Sequence, residues 1–201
     1  MERRDVLRLL ASAPVAAGFA WTEAEAGEAF QRATTARDAA AAAGTPFKPS
    51  FFTEHEFETV RVLSQLIIPR DERSGGAIEA GVPEFMDFIV GDQPVRQTAM
   101  RGGLAWLDRE CLIRFDKTFV VCVPAEQTAV LDDIAWPGRA RPELAAGVAF
   151  FSSLRDLVAA GFWTSKMGIE DLQYKGNTYV RNWNGCPDEA CKKLGVSYPT
   201  Q

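Results

Sequence analysis

The sequence predicts an all-α fold, a small helical domain with a long irregular C-terminal tail. Between residues 53 and 158, apolar side chains recur every three or four positions, which is the period of a helix with one buried face. Proline and glycine interrupt this pattern at intervals of helical length and mark the helix ends. From Gly161 to Gln201 the chain is aromatic and glycine-rich without a regular period, which predicts the tail.

The boundaries of the first domain helix are marked clearly. Thr53 and Glu56 have the spacing of a capping box, in which each side chain accepts a hydrogen bond from the other residue's backbone N–H. Pro69 should end this helix, because proline cannot continue its hydrogen-bond ladder. A polar, glycine-rich loop over residues 70–76 follows. The buried face of the helix should consist of Phe57, Val60, Leu63 and Ile67.

Two more helices are predicted in the middle of the chain. One should run from Ala77 or Pro83 to Val90, and a longer one should span residues 94–115, where the pair at 102–103 is Gly-Gly and could kink it. Their apolar faces are Phe85, Phe88 and Ile89, and then Leu104, Leu107, Cys111 and Phe115.

The next segment contains a short apolar run and two helices. Residues 119–123 are too few to distinguish a strand from a buried loop. Pro124 fits the first position of a helix ending near Ile134, and a Trp-Pro-Gly turn at 136–138 follows. Pro142 should begin another helix, with a stripe of Leu144, Val148, Phe151, Leu154 and Val158.

The N-terminus resembles an export signal. Arg3 and Arg4 precede a short, mildly apolar segment, which predicts a twin-arginine-type signal over residues 1–26; an ordinary amphipathic helix is the alternative. An Ala-rich helical or extended segment over 27–50 should follow, with little to bury unless it lies on a partner. The helical domain with its tail then spans residues 51–201.

Length and charge limit the kinds of partner. A chain of 201 residues can bury one proper core, and a net charge of −5 without a basic stripe argues against nucleic acid. Beyond the signal, no segment looks long and apolar enough to span a membrane. Association with a membrane would therefore be indirect, or would use a retained signal.

The chain carries few groups suited to catalysis. His55 is its only histidine and lies between two glutamates at a helix start, where a structural or solvated role is expected. The carboxylate pairs at 71–72, 132–133 and 170–171 look like solvated helix ends, and no Rossmann or P-loop pattern occurs. The sequence thus predicts no catalytic, cofactor-binding or metal-binding residue in this chain.

Four cysteines would be able to form disulfides in an exported chain. Their spacing lacks the close pairs of a zinc or iron–sulfur site. For Cys186 and Cys191, a local disulfide that closes a proline-containing turn is the prediction. Cys111 could be a buried thiol or could bond to Cys122, and the sequence leaves both open.

The aromatic residues of the C-terminal stretch suit a protein interface. Few helical constraints act on them, and aromatic side chains are common anchors in interfaces. The alternative is that several of them cover the domain's own core. The predicted interface residues are Phe162, Trp163, Tyr174, Asn177, Tyr179 and Trp183.

Several segments of the chain follow one another in a characteristic order. The first is a helix that ends in Ile-Ile-Pro-x-Asp and leads into Gly-Ala-x-Glu-Ala-Gly-Val-Pro-x-Phe-x-Asp. With the segments that follow it, this order resembles the gluconate 2-dehydrogenase subunit 3 family. The resemblance covers roughly 51–186, and the ending at 183–186 and the tail beyond it depart from the pattern. The segments that carry it are 57–71, 76–87, 103–108, Phe119, 124–127, 150–155, 161–165, 168–169 and 174–178.

The resemblance implies a non-catalytic small subunit. Its partner would be a large FAD-dependent flavoprotein of the glucose–methanol–choline type that oxidises a sugar, sugar acid or glycoside, with electrons passing to a c-type cytochrome. The small subunit would be needed for assembly, stability and export of the flavoprotein, at the periplasmic face of the inner membrane. A small enzyme built around His55 and an independent periplasmic binding or scaffold protein are the competing hypotheses.

Overall fold

The structure, a computed structural model, describes residues 23–173, 181 and 185–197. Within these residues the fold is all-α, as predicted, and no strand occurs among them. Short 3-10 turns at Phe119–Val121 and Pro142–Leu144 separate some of the helices. The helices are α1 Glu23–Ala42, α2 Glu54–Ile67, α3 Ala77–Ala80, α4 Val82–Gly91, α5 Pro94–Phe115, α6 Pro124–Ala135, α7 Ala145–Thr164, α8 Lys166–Asp171 and α9 Asp188–Leu194.

Helix α7 is the centre of the domain and packs against α1, α2, α4, α5 and α6. Its Leu154, Leu157 and Val158 are fully buried. With its preceding 3-10 turn, Pro142–Thr164 is long and apolar enough to cross a membrane, contrary to the sequence expectation. In the structure, 44% of the most apolar 18-residue stretch of this segment is buried within the domain. A helix that contributes to a domain core can have the same length and apolar composition.

Two glycines let α5 and α7 approach closely. A Cβ atom on Gly103 would lie 1.9 Å from a ring carbon of Phe150, and one on Gly147 would lie 2.2 Å from the Trp106 ring. Each glycine thus leaves the space that an aromatic side chain of the other helix fills. Within the Gly-Gly pair predicted as a possible kink, Gly103 therefore serves helix packing, whereas a Cβ on Gly102 would meet nothing within 4 Å. Helix α5 continues through the pair as one helix.

Helix α1 buries more than the sequence suggested. Ala26, Ala29 and Ala33 form a stripe at helical spacing that is at most 2% exposed and lies against α4. The small side chains leave little apolar area to detect in a sequence, but they allow the two helices to lie close together. The expectation of a segment with little to bury is therefore wrong, and α1 is part of the domain.

The connection from α1 to α2 is fixed by a buried carboxylate. Asp87 of α4 is fully buried, and its Oδ2 accepts hydrogen bonds from the backbone N–H (2.7 Å) and hydroxyl (2.8 Å) of Ser50. Its Oδ1 accepts the backbone N–H groups of Phe51 and Phe52, both at 2.9 Å. The predicted capping box of Thr53 and Glu56 follows directly and begins α2.

The predicted second helix is two helices separated by Gly81. This residue has φ +84°, a left-handed conformation that glycine adopts without a steric penalty. A Cβ there would also meet the Arg37 guanidinium at 2.2 Å. Gly81 is therefore both the C-terminal cap of α3 and the N-terminal cap of α4.

The C-terminal region is more helical than predicted. Helix α7 continues past Gly161 to Thr164, and the short helices α8 and α9 follow. These helices were missed because each is short and carries glycine or proline at or near its start. The predicted signal residues Arg3 and Arg4 lie outside the described residues.

Candidate partner-binding surface

The end of α7 turns sharply into α8. The hydroxyl of Ser165 donates to the carbonyl oxygen of Phe162 at 2.6 Å and accepts the Gly168 N–H at 3.0 Å. A Cβ on Gly168 would lie only 2.0 Å from the Phe162 carbonyl oxygen, so only glycine fits this close approach. The turn is thereby fixed, and α8 lies against the end of α7.

This turn presents apolar side chains to solvent. Trp163 is 39% exposed, Ile169 is 40% exposed and Leu172 is 56% exposed. The Trp163 ring meets the buried Phe162 ring edge-on at a centroid distance of 4.9 Å, an arrangement that holds the indole in place. Ile169 and Leu172 are three residues apart and share one helical face. We call these three residues the tail-base patch.

The loop before α3 holds α8 from the other side. Nη2 of Arg73 donates to the main-chain oxygen of Asp171 at 2.8 Å and lies 2.9 Å from its Oδ1. Met167 packs against Gly75, where a Cβ atom would lie 2.9 Å from the methionine sulfur. These contacts join two segments that are distant in the chain, because Arg73 and Asp171 are separated by 98 positions.

The loop itself is ordered by its own polar groups. Asp71 Oδ1 accepts the backbone N–H groups of Ser74 and Arg73, both at 2.8 Å, and these bonds lower the pKa of Asp71 below its usual value. Gly76 has no room for a side chain, because a Cβ would lie 2.7 Å from the Arg70 nitrogen and 2.8 Å from the Ile68 oxygen. A loop of this kind can hold the Arg73 side chain in a defined position.

A polar hollow lies next to the tail-base patch. It has a volume of about 370 Å³ and includes both partners of the Arg73–Asp171 pair. Gln173 has φ +53° and redirects the chain at this point, directly before residue 174. Its lining residues are Arg73, Ser74, Met167, Glu170, Asp171 and Gln173. An apolar patch with a polar rim is the usual composition of a protein interface.

The structure separates the predicted interface residues into different environments. Phe162 is 1% exposed and belongs to the domain's own core, the alternative that the sequence left open, whereas Trp163 reaches the surface. Tyr174, Asn177, Tyr179 and Trp183 lie outside the described residues.

Sequence reasoning missed four other residues of the surface, namely Arg73, Ile169, Asp171 and Leu172. The available signal was the family resemblance, whose segments 57–71 and 76–87 border the 70–76 loop and whose segment 168–169 includes Ile169.

The lone histidine makes a structural connection. Nε2 of His55 lies 2.6 Å from Oδ2 of Asp108, and Oδ1 of the same carboxylate accepts the Phe119 N–H at 2.9 Å. Asp108 therefore ties the start of α2 to the 3-10 turn after α5. This contact fits the structural role expected for His55.

The carboxylate pairs also make structural contacts. Asp71 orders its loop, Asp133 pairs with Arg114 at 2.7 Å, and Asp171 pairs with Arg73. Among the residues that the structure describes, no group of three or more His, Cys, Asp or Glu side chains is placed to hold a metal ion.

The cysteines form two neighbouring pairs. Cys111 and Cys122 are both buried, and each thiol is near enough to influence the pKa of the other. Near the C-terminus, the Cys191 sulfur lies 3.9 Å from the Cys186 carbonyl oxygen, at the start of α9. The disulfide predicted between Cys186 and Cys191 stays a prediction.

The fold and this surface define a small helical domain with exposed apolar side chains at the end of α7. The chain belongs to the gluconate 2-dehydrogenase subunit 3 family, whose family model matches residues 54–185. This match begins at α2 and includes the 70–76 loop and the whole tail-base patch. No curated protein and no solved structure gave a significant match to the chain. Family membership makes the chain a subunit of a dehydrogenase complex.

Proposed function

We propose that this chain is the non-catalytic small subunit of a periplasmic, FAD-dependent dehydrogenase that oxidises a sugar, sugar acid or glycoside. The large subunit would be a flavoprotein of the glucose–methanol–choline type and would carry the FAD and the catalytic residues. A c-type cytochrome would accept the electrons. The family match over residues 54–185 is the observation that carries this proposal.

The tail-base patch supports a docking role. Trp163 is well suited to anchor a partner, because its ring is oriented by Phe162 and still exposes 39% of its surface. Tryptophan contributes strongly to binding when a partner covers it, since it buries a large area with few rotatable bonds. The hollow beside Arg73 supplies a polar rim for the same interface. We place the flavoprotein on this surface, and the aromatic residues predicted between Tyr174 and Trp183 would add further contacts to it.

The export role rests on the N-terminal sequence. Arg3 and Arg4 would direct the folded complex through the twin-arginine route, so that the flavoprotein leaves the cytoplasm with its FAD already bound. The complex would then work at the periplasmic face of the inner membrane. The small subunit would thus act in assembly, stability and export of its partner.

Co-expression with a signal-less flavoprotein of this class from the same genome tests the proposal. We expect the two chains to purify as one yellow complex, and the flavoprotein to be insoluble or inactive when it is expressed alone. A purified small subunit that oxidises sugars by itself with an artificial electron acceptor would contradict the proposal. So would a flavoprotein that folds, is exported and is active without this chain.

A second experiment isolates the export role. Replacing Arg3 and Arg4 with Lys keeps the positive charge but removes the paired arginines. We expect both subunits to accumulate in the cytoplasm as an intact, active complex. Unchanged export of the flavoprotein would overturn the carrier role while leaving the assembly role standing.

A further inference from the structure

Two thiols meet in the core between α5 and the 3-10 turn that follows it. Cys111 lies on the inner face of α5 and is fully buried, and Cys122, directly after the Phe119–Val121 turn, is 5% exposed. Each thiol is near enough to influence the pKa of the other. The two side chains are therefore neighbours in the core.

The surrounding backbone holds the two cysteines in register. Asp108 and Cys111 are three residues apart on α5 and share one face of the helix. Phe119 and Cys122 are also three apart, within a turn closed by the bond from Cys122 N–H to the Phe119 oxygen at 3.2 Å. Asp108 accepts the Phe119 N–H at 2.9 Å. The Asp108–Phe119 hydrogen bond and, three residues further along each element, the Cys111–Cys122 pair thus both connect α5 to the 3-10 turn.

Further contacts limit the movement of the turn. Nε2 of Gln127, on α6, donates to the Phe119 oxygen at 3.0 Å, and Phe119 itself is fully buried. Lys117 binds both carboxylate oxygens of Glu126 at 3.1 Å. The turn is thus held on both sides, which keeps Cys122 beside α5.

We infer that Cys111 and Cys122 are a disulfide site, which closes when the folded chain meets a disulfide oxidant. One cysteine sulfur attacks the oxidant and displaces one thiol, and the second cysteine then displaces the other, so the S–S bond forms. Both cysteine protons leave, and two electrons reduce the oxidant disulfide to two thiols. That the protein works in a compartment with such an oxidant is part of the proposed function. The placement of Cys111 next to Cys122 does not rest on that function.

Cys122 is the better point of attack. It lies between Val121, which is 65% exposed, and Val123, which is 51% exposed, so a small oxidant can approach from this side. Burial raises the pKa of Cys122 and raises that of Cys111 to about 12. Because the thiolate is the attacking species, the reaction should be slow at neutral pH and faster at higher pH.

The bond would fasten the turn to α5. It closes a short loop that contains the left-handed residue Asp116 and the whole Phe119–Val121 turn. A crosslink over a loop of this size should raise Tm by about 5–10 °C relative to the reduced protein. It would also protect the exposed edge at Val121 and Val123 from local opening.

The test is disulfide mapping on the full-length protein. The chain is purified under reducing conditions, alone or with its partner subunit, and is then incubated with oxidised glutathione. Alkylation in denaturant without reductant and digestion with trypsin follow. Cleavage after Arg114 and Lys117 separates the two cysteines, so a bond between them joins residues 110–114 to residues 118–139. We expect this linked peptide and the higher Tm.

A matched variant removes interference from the other cysteine pair. The double substitution Cys186→Ser and Cys191→Ser leaves the core unchanged, and it should still yield the linked peptide. Cys122→Ala in the same background should lose both the link and the rise in Tm. The inference would be overturned if Cys111 and Cys122 were both alkylated after long oxidation. A glutathione adduct on Cys122 with Cys111 still reduced would overturn it equally.

Discussion

Arg73 binds Asp171 at two points, with Nη2 2.8 Å from the main-chain oxygen and 2.9 Å from Oδ1 of the carboxylate. This pair fastens the loop before α3 to the end of α8. It therefore places the tail-base patch relative to the core. The Arg73 side chain is 69% exposed, so the pair should matter more for positioning than for global stability.

Arg73→Ala should weaken binding of the flavoprotein subunit. We expect Kd to rise about fivefold to tenfold, roughly 1 kcal/mol, because α8 and the patch lose a fixed position. The free energy of unfolding should change by less than about 1 kcal/mol, since the pair is exposed. Binding would be measured by calorimetry with the purified flavoprotein.

Arg70→Ala is the matched control for this variant. Arg70 is on the same loop and is similarly exposed, but its ion pair is with Glu79 at 3.4 Å and does not reach α8. Its Kd should stay within twofold of the wild type. Equal effects of the two substitutions would show that loop charge, and not the link to Asp171, determines binding.

Trp163→Ala should remove the main anchor of the patch. We expect a loss of about 2 kcal/mol or more in binding, at least thirtyfold in Kd, as for a tryptophan that a partner buries. Trp136→Ala is the control, because Trp136 is 61% exposed and contacts Arg139 after α6, away from the patch. A larger effect of Trp136→Ala would move the interface to the α6 end of the domain.

The helices that the sequence predicted well are those with explicit boundary residues. At the start of α2, the side chains of Thr53 and Glu56 accept hydrogen bonds from free backbone N–H groups. At the starts of α5 and α6, Pro94 and Pro124 have no N–H group that needs a partner. The structure begins a helix at each of these places. Helix α1 was harder, because a stripe of alanines carries little apolar area. The short helix α8 was missed because its packing depends on Gly168. The need for glycine at this position becomes visible only in the folded structure, where the residue lies against the Phe162 carbonyl oxygen.

The site was less predictable than the fold for a physical reason. An interface is a property of what remains exposed after folding, and the sequence alone does not distinguish Phe162 in the core from Trp163 at the surface. The Arg73–Asp171 pair joins residues from opposite ends of the domain, so no local pattern reveals it. Neither Arg73 nor Asp171 lies in the segments that carry the family resemblance, so the resemblance did not reveal the pair either.

Asp87→Asn should strongly destabilise the domain. The carboxylate is fully buried and accepts four hydrogen bonds from residues 50–52, and an amide can accept these only at its single oxygen. We expect the free energy of unfolding to fall by about 2–4 kcal/mol, measured by urea denaturation.

The control is Asp92→Asn, which alters an exposed carboxylate that pairs with Arg32 at the end of α4. It should change stability by less than about 1 kcal/mol. If Asp87→Asn proved as mild as this control, the connection between α1 and α2 would have to be held by other contacts.

Glu84 should give the domain a distinctive pH dependence. Its side chain is 13% exposed, and within the described part of the chain its buried Oε2 accepts no hydrogen bond. Burial raises the pKa of Glu84 above its ordinary value of 4.5, and Arg37, 3.8 Å away, only partly opposes this. The folded protein therefore keeps this proton at pH values where the unfolded chain has lost it.

The sign of the effect follows from this difference in proton binding. Between pH 4.5 and the raised pKa the folded state binds more protons than the unfolded state, so the Glu84 contribution to stability falls as pH rises. The Glu84→Gln variant lacks this ionisation. Its free energy of unfolding should therefore increase relative to that of the wild type between pH 4.5 and pH 7, by on the order of 1 kcal/mol. Urea denaturation at several pH values measures the difference, with Glu58→Gln as the control, because Glu58 is an exposed glutamate of α2 that pairs with Arg61. A Glu84→Gln variant whose stability relative to the wild type declines over this range would show that Arg37 stabilises the charged carboxylate by more than its burial disfavours it.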